Sequence, residues 1–575
     1  MAPTPTTPVA TREPRGRMPL DDAVAQVLGA DARLREAQRD ALSGLAGHDT
    51  VLVARTGAGK TAVYAIATLL AGRLTVVVSP LLALQRDQLD ALGEVGLRAR
   101  ALSSAYTPAQ QRRTLEAARE GGLDVVLLAP EQLGRPPVVE ALAAADVGLL
   151  VVDEAHCVSE WGHDFRPDYL LLGAAARALG GPRLLALTAT ASAHVREEIV
   201  GRLGMGVDGR GEPRVLVHDA DRPNVWLGAR AAASADERDA AVVEAALATE
   251  GAGIVYARTR THVDALAQAL TDAGRPALTY HAGLPGSTRE EAQDAFLSGS
   301  ADLVVATSAF GMGVDRADVR FVLHAGPPPS LDAYYQEAGR AGRDDEPAVA
   351  VLFRTPDDFG FNQYLRSGGP PRPTTLRKVL TAVRRAADGG DVGDSDGGGA
   401  SGEGGGPPGL TRTELAERSG VSSRTLVRAL ASLAQVGAVD EVDGRWVPRP
   451  GALGVDALVR AVAAEHERRQ AVDRSRVELV RTYADTADCR RRVLLELLGE
   501  EHPERCGRCD SCDAGTSAEV VDAPLRAGQA VVHREWGEGT VSVVEADRVT
   551  VLFEDRGYVT LDLAVSLDSG LLRPA

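Results

Sequence analysis

From about residue 34 to residue 355, short apolar runs alternate with helix-length amphipathic stretches, the pattern of parallel α/β sheets whose strands are buried on both faces. Val51-Leu52-Val53, Val76-Val77-Val78, Val125-Val126-Leu127-Leu128, Leu149-Leu150-Val151-Val152 and Leu184-Leu185-Ala186-Leu187 predict strands of a first lobe. The rhythm restarts after Pro213 with Ile254-Val255-Tyr256, Leu303-Val304-Val305, Phe321-Val322-Leu323 and Val349-Ala350-Val351-Leu352. Two doubly wound lobes of similar size account for this, expected over residues 20–208 and 209–365. From Asp388 to Gly409 the chain is almost wholly Gly, Asp, Ser, Glu and Pro, which cannot bury enough apolar surface to fold. Residues 366–409 are therefore expected to be a linker, disordered over 388–409. A short helical segment (410–450), a long charged helical region ending in cysteines (451–514) and a piece alternating like a small antiparallel barrel (522–575) complete the chain.

The 575 residues fit roughly three to five domains, and 44% hydrophobic content is ample for their cores. Met1 to Pro19 is rich in Pro, Thr and Arg and has no apolar signal core, so it reads as a disordered tail (residues 1–19) on a cytoplasmic protein. No run of about 18 uninterrupted apolar residues occurs, and no membrane partner is expected. The net charge of −17 describes the average surface only, because nucleic-acid grooves are local. Of 63 basic residues only Lys60 and Lys378 are lysines.

Lys60 sits in Ala54-Arg55-Thr56-Gly57-Ala58-Gly59-Lys60-Thr61, a phosphate-cradling loop whose first glycine is replaced by Ala54. A planar arginine fork is too wide for a loop closing on a β/γ-phosphate, whereas a slim ammonium fits as a point charge. Some 90 residues later a predicted strand ends in Asp153-Glu154-Ala155-His156, placing two carboxylates at the C-terminal edge of a parallel sheet, where α/β folds bind ligands. Asp153 can hold Mg²⁺ and Glu154 can orient a water, the acidic tasks of phosphoryl transfer. Ser79-Pro80-Leu81, Ala129-Pro130-Glu131 and Thr188-Ala189-Thr190 follow other strands and suggest a lined groove. In the second lobe Arg340 and Arg343 stand three apart in Gln336 to Arg343, so both can face a γ-phosphate from one helix side. Cys157 is isolated, while Cys489, Cys506, Cys509 and Cys512 form a C-x16-C-x2-C-x2-C array suited to tetrahedral structural Zn²⁺, with iron–sulfur ligation the lesser alternative. Thr411 to Leu430 has helix-turn-helix spacing with Arg424 and Arg428 on the second helix, and Gly444 to Val447 reads as a wing. Such a module grips duplex DNA or serves as a protein spacer.

Together these motifs resemble the RecQ family of superfamily 2 DNA helicases over residues 34–365 and again at the late cysteines. Leu34 to Gln38 is similar to that family's adenine-reading motif, which implies nucleotide contacts from Arg35 and Gln38. Ala54 to Thr61 resembles motif I and implies nucleotide contacts from Thr56, Gly57, Gly59, Lys60 and Thr61, the last also toward Mg²⁺. Ser79 to Gln88 resembles motif Ia, Asp153 to His156 motif II, Thr188 to Thr190 motif III, Ala306 to Asp315 motif V and Gln336 to Arg343 motif VI. Cys157 to Tyr169 resembles the aromatic-rich loop that senses single-stranded DNA. The resemblance implies coupling roles for His156, Trp161, His163, Phe165 and Arg166, with the two aromatic rings stacking on bases and Arg166 meeting phosphate. Glu160 stands where the family usually carries glutamine. The winged helix also departs from the family by preceding the zinc module. Gly528 to Phe553 resembles the Tudor-like tail of UvrD-type helicases, which implies RNA polymerase or another protein as its partner.

The fold expected is thus two tandem RecA-like domains followed by winged-helix, helical zinc-binding and small β-barrel modules. The function implied is an ATP-dependent 3′–5′ DNA helicase of repair or recombination, acting on single-stranded and duplex DNA near the nucleoid. An RNA helicase, a protein-stripping translocase and a DNA-binding regulator with a degenerate ATPase are the rival readings.

Overall fold

The computed structural model describes residues 17–575 except 56, 81, 104, 160–165, 208–210, 219–220, 312–313, 315, 361–370, 388–408, 443–444, 452, 501–503, 518–523 and 555. The chain divides into two units, one of Met1–Gly360, Arg476–Glu554 and Tyr558–Ala575, the other of Phe361–Ser475 and Asp555–Gly557.

In the larger unit, strands β1 (Thr50–Val53), β2 (Leu74–Val78), β3 (Ala99–Leu102), β4 (Val125–Leu128), β5 (Val147–Val152), β6 (Arg183–Thr188) and β7 (Arg214–Val217) form the first lobe. They pair in parallel in the order β3-β4-β2-β5-β6-β1-β7. This order sets β2, β5, β6 and β1 side by side, so the loops after Val78, Val152, Thr188 and Val53 leave one continuous sheet edge. The second lobe joins β8 (Val225–Ala231), β9 (Ala252–Ala257), β10 (Leu278–Tyr280), β11 (Leu303–Ala306), β12 (Val319–Ala325) and β13 (Ala348–Arg354). Its order is β10-β11-β9-β12-β13-β8, again parallel.

The expected lobe boundary at 208/209 is corrected: β7 lies beyond it yet pairs with β1 along Thr50–Val53. Its residues are mostly exposed, so it carries no continuous apolar run to announce it.

In the smaller unit, the helices Pro373–Ala387, Arg412–Ser419 and Ser423–Gln435 pack with the hairpin β14 (Val439–Val442) and β15 (Arg445–Pro448). The first of these helices corrects the reading of 366–409 as linker. Leu376, Val379, Leu380 and Val383 lie at helical spacing and are buried in the same core as Leu415, Leu426 and Trp446. Most of the low-complexity stretch, 388–408, lies outside the described residues.

In the larger unit the helix Arg490–Leu497 and the knuckle Cys506–Asp513 dock on β8, which is the end strand of the second sheet. Leu227 N donates to Arg508 O at 3.2 Å, Ala229 N to Asp510 Oδ2 at 2.9 Å and Trp226 Nε1 to Asp513 Oδ2 at 2.8 Å. A sheet edge that would stand open is thereby covered. Strands β16 (Ala530–His533), β17 (Gly537–Val544), β18 (Arg548–Phe553), β19 (Gly557–Asp562) and β20 (Leu572–Pro574) make a final sheet in the order β19-β18-β17-β16-β20. Its core holds Val531, Val541, Val551 and Phe553. No helix among the described residues is long and apolar enough to cross a membrane.

Candidate functional site

The loop after β1 turns into the helix Lys60–Ala71 through Gly57 and Gly59, both at positive φ (85° and 76°). A Cβ on Gly59 would stand 2.4 Å from Gln38 Nε2, so only glycine closes this turn. Gln38 is buried; its Oε1 accepts from Arg35 N at 3.0 Å and its Nε2 faces Ala58 O and Gly59 O at 3.4 and 3.3 Å. Arg35 Nη1 donates to Gly57 O at 2.7 Å. Lys60 Nζ donates to Ala54 O at 3.0 Å.

At the end of β5, Asp153 is buried and its Oδ2 accepts from Gln88 Nε2 at 2.9 Å, while Tyr169 Oη donates to Asp153 O at 3.0 Å. Burial pushes the Asp153 carboxyl up; the charge of Lys60 and the hydrogen bonds from Gln88 and Glu154 N oppose it. Glu154 adopts the left-handed conformation (φ 49°, ψ 48°), a region sparsely populated by residues that carry a side chain. His156 is buried, with Nδ1 3.0 Å from Thr188 Oγ1 and 3.4 Å from Glu154 Oε2. Thr188 Oγ1 donates to Thr190 O at 2.9 Å. The end of β5 and the end of β6 are thus linked through one imidazole. Arg166 Nη1 donates to Pro80 O at 2.9 Å.

From the second lobe, Arg340 Nη1 and Arg343 Nη1 both approach Val314 O, at 3.4 and 3.1 Å. Asp345, two residues on and also at positive φ, stands 3.9 Å from Arg55 of the phosphate loop. The arginine segment and the phosphate loop therefore face each other across the lobes.

Apart from this cleft, Cys489, Cys506, Cys509 and Cys512 bring four sulfurs within 4.8 Å of one another. Cys506 Sγ and Cys512 Sγ are 4.0 Å apart, the spacing of thiolates on one tetrahedral ion rather than of a disulfide. Backbone N–H groups of Cys506, Arg508 and Cys512 point at Cys489, Cys506 and Cys509 sulfurs at 3.4, 3.3 and 3.4 Å, the donors that stabilise thiolate ligands. Hydrogen bonds from Cys506 and Cys509 hold the Cys489 thiol far below its ordinary range, and the bond with Cys489 pushes Cys506 up. Four thiols this close need a cation before all can ionise.

The DEAD/DEAH box helicase family matches residues 35–199, the helicase conserved C-terminal domain residues 238–345, and the RecQ zinc-binding family residues 455–513. ATP-dependent DNA helicase RecQ of Pasteurella multocida is 36% identical over 361 residues, 62% of this chain and 56% of that protein. The probable ATP-dependent DNA helicase RecS of Bacillus subtilis is 37% identical over 334 residues, 58% of this chain and 66% of that one. The chain belongs to the RecQ family.

This RecQ chain spans about half the length of the first curated relatives it matches, 56% and 54%. Its C-terminal sheet matches a family of unknown function, DUF3553, over residues 525–568. Among solved structures, the DUF1998 helicase MrfA bound to DNA superposes with a TM-score of 0.50 at 17% identity, over 78% of this chain and 65% of that one, a likeness of fold alone.

Of the residues expected to serve this RecQ chain, Arg35, Gln38, Gly57, Gly59, Lys60, Thr61, Asp153, Glu154 and His156 gather at the C-terminal edge of the first sheet, and Arg340 and Arg343 face them from the second lobe. His156 is enclosed and touches Thr188, so its place is in the protein interior rather than at a DNA surface. Arg428 is exposed on the helix Ser423–Gln435 of the smaller unit. Thr56, Trp161, His163 and Phe165 and the side chain of Arg424 lie outside the described residues. Sequence reasoning gave no individual role to Gln88, which sits at the end of the motif Ia stretch, and passed over Arg55 and Arg222. The place at the end of that stretch is the only signal the sequence carries for Gln88, because its burial is visible only in the fold.

Proposed function

We propose that this chain is an ATP-dependent DNA helicase that uses nucleotide hydrolysis between its two lobes to translocate along single-stranded DNA and open duplex. The observation that carries the reading is the convergence of the phosphate loop, the Asp153-Glu154 turn and the Arg340/Arg343 segment on one cleft. ATP would lie with its phosphates on the Gly57–Lys60 turn, where backbone N–H groups and the helix N-terminus favour an anion. Lys60 would leave Ala54 O for a β/γ-phosphate oxygen. Asp153 and Thr61 would hold Mg²⁺, which supplies charge neutralisation on the phosphate oxygens. Glu154 would orient the attacking water, and Arg340 and Arg343 would meet the charge spread over the γ-phosphoryl oxygens. Because His156 touches both Glu154 and Thr188, a strain on one turn is passed to the other. Arg166 on Pro80 O ties the end of the aromatic-rich segment to the loop after β2. Those links support coupling of DNA contact to hydrolysis.

The finer reading is translocation in the 3′–5′ direction in repair or recombination, with the smaller unit gripping duplex through Arg424 and Arg428. The Cys₄ knuckle would hold Zn²⁺ as a structural brace. The C-terminal sheet is proposed as a protein-docking module, RNA polymerase being the partner that its resemblance implies; retention of the polymerase by the full chain, lost on removing residues 525–575, would support it. The deciding assay measures hydrolysis of ATP with single-stranded DNA against RNA, and strand displacement from 3′ and 5′ overhangs. Wild type should be DNA-stimulated and open the 3′-tailed substrate, Lys60→Ala should be inactive, and Trp161→Ala should lose stimulation. Preference for RNA, or full strand displacement by Lys60→Ala, would sink the reading.

A further inference from the structure

Arg222 lies in the stretch between β7 and β8, outside any helix or strand, yet it is only 9% exposed. Its Nη1 is 3.3 Å from Ala341 O and 3.5 Å from Gly342 O, the backbone between Arg340 and Arg343. Its Nη2 lies 3.9 Å from where a Cβ on Gly57 would stand. One guanidinium therefore reaches from the arginine turn of the second lobe to the phosphate loop of the first. Burial, and after it the charge of Arg55, pushes Arg222 down to about 10; Arg343 adds to the repulsion, and Tyr335 and Asp345 oppose it. Asp345 is 76% exposed. Three guanidiniums around one solvated carboxylate, on a loop bent by positive-φ glycines, make a place that an anion completes.

The preceding residue is held from another direction. The Asp221 carboxylate is 3.0 Å from Arg491 Nη1, and Arg491 is itself buried and donates to Val225 O. Arg491 belongs to the helix Arg490–Leu497, whose N-cap is the metal-site residue Cys489. Neighbouring residues 221 and 222 are thus gripped, one by the knuckle's helix and the other by the arginine turn.

We propose that Arg222 is a third phosphate-contacting cation of the cleft, a catalytic residue beside Arg340 and Arg343, and that the Asp221–Arg491 bridge is the positioning contact through which the cysteine knuckle sets it. The inference rests on the nucleotide reading of the cleft. Arg222 stands on the second-lobe side with Arg343, so it meets the terminal phosphate, the one that ADP lacks. Movement of the knuckle against β8 would shift Asp221 and withdraw Arg222, so the cysteine module regulates turnover without touching nucleotide.

The test uses the full chain with single-stranded DNA, comparing wild type, Lys60→Ala, Arg222→Gln, Arg222→Lys and Asp221→Asn for hydrolysis, zinc content, and binding of fluorescent ADP and a non-hydrolysable triphosphate. Arg222→Gln should lower kcat roughly 100-fold, keep ADP affinity within about threefold and lose the preference for triphosphate. Arg222→Lys should recover about tenfold of that loss, as a point charge without the fork. Asp221→Asn, with zinc content unchanged, should lower kcat about tenfold at unchanged ADP affinity. Hydrolysis by Arg222→Gln within about threefold of wild type, or equal loss of ADP and triphosphate, would overturn the phosphate role. Wild-type turnover by Asp221→Asn would overturn the positioning role. Wild-type protein no more active than Lys60→Ala would overturn the nucleotide reading itself, and with it this inference, a result distinct from the others.

Discussion

Lys60 and Ala54 explain each other at the level of single atoms. The lysine rests on the carbonyl of Ala54, a backbone group, so the side chain at that first position takes no part in the contact. Ala54 is enclosed at 1% exposure, which leaves a methyl tolerable and anything larger costly. Lys378, the other lysine of the chain, is exposed on the helix Pro373–Ala387. Two residue-level outcomes follow from the cleft. Replacing Gln88 by Leu removes the donor that fixes Asp153 Oδ2, and a hydrogen bond to a charged group contributes about 1.5–3 kcal/mol, so kcat should fall roughly 10- to 100-fold with ATP KM little changed. Steady-state kinetics at saturating DNA would check it, and an unchanged kcat would contradict the orienting role. Gly59→Ala forces a Cβ into the left-handed region and against Gln38, so unfolding free energy should drop by about 1–2 kcal/mol while nucleotide affinity falls with it. Denaturant titration alongside ATP binding would show whether the two losses travel together.

The elements divide by where they stand in their sheets. Every interior strand of both lobes was legible as an apolar run, from Val51-Leu52-Val53 to Val349-Ala350-Val351-Leu352. The four strands not anticipated, β3, β7, β8 and β10, are the end strands of their sheets. Ala99-Arg100-Ala101-Leu102 and Arg214-Val215-Leu216-Val217 are partly solvated, so selection for continuous burial does not act on them and the pattern that marks a parallel strand is missing. Part of the candidate site was legible for a related reason: the phosphate loop and the Asp153-Glu154 turn directly follow the interior strands β1 and β5, whereas Arg35 and Gln38 precede β1 and Arg340 and Arg343 follow the helix Leu331–Ala338. Arg222 follows no interior strand, and its role depends on a fold-back that no periodicity encodes. The helix Arg490–Leu497 carries a pH-dependent consequence. Burial pushes Glu496 up to about 7 from 4.5, against the pull of Arg492, which also donates to Val544 O of β17 at 3.0 Å. An acid with a raised folded pKa keeps a proton that the unfolded chain releases, so stability declines as pH rises from about 4.5 to 7 and the cost is complete above that window. Glu496→Gln should therefore be more stable than wild type at pH 8, by at most about 3 kcal/mol, and no different near pH 4. Equal stability of the two proteins at pH 8 would contradict this.

At the scale of the molecule, an acidic chain with a net charge of −17 is assigned a polyanionic track, which requires its cations to be concentrated. The proposed nucleotide cleft concentrates Arg35, Arg55, Arg222, Arg340 and Arg343 for the triphosphate in the same way, whereas the cations proposed for DNA are Arg166, Arg424 and Arg428. The metal knuckle belongs to the same scale, because it joins the C-terminal part of the chain to the second lobe. Removing Zn²⁺ with a chelator at neutral pH should lower Tm by several degrees and release β8, so light scattering should grow with protein concentration and be prevented by restoring zinc. Concentration-independent unfolding without scattering would argue that the edge is guarded by something else.

That same edge has a history during synthesis. Ala229 must wait for Asp510, 281 residues later, and Trp226 for Asp513, 287 residues later. At roughly 10 residues per second β8 would wait about half a minute after its own synthesis, and the second lobe, complete once Arg354 is made, would stand on the ribosome for about 15 seconds with that end strand bare. Nascent chains of this protein should therefore be substrates for ribosome-associated chaperones in that interval, and a message truncated just before Cys506 should yield aggregate rather than a shorter soluble protein.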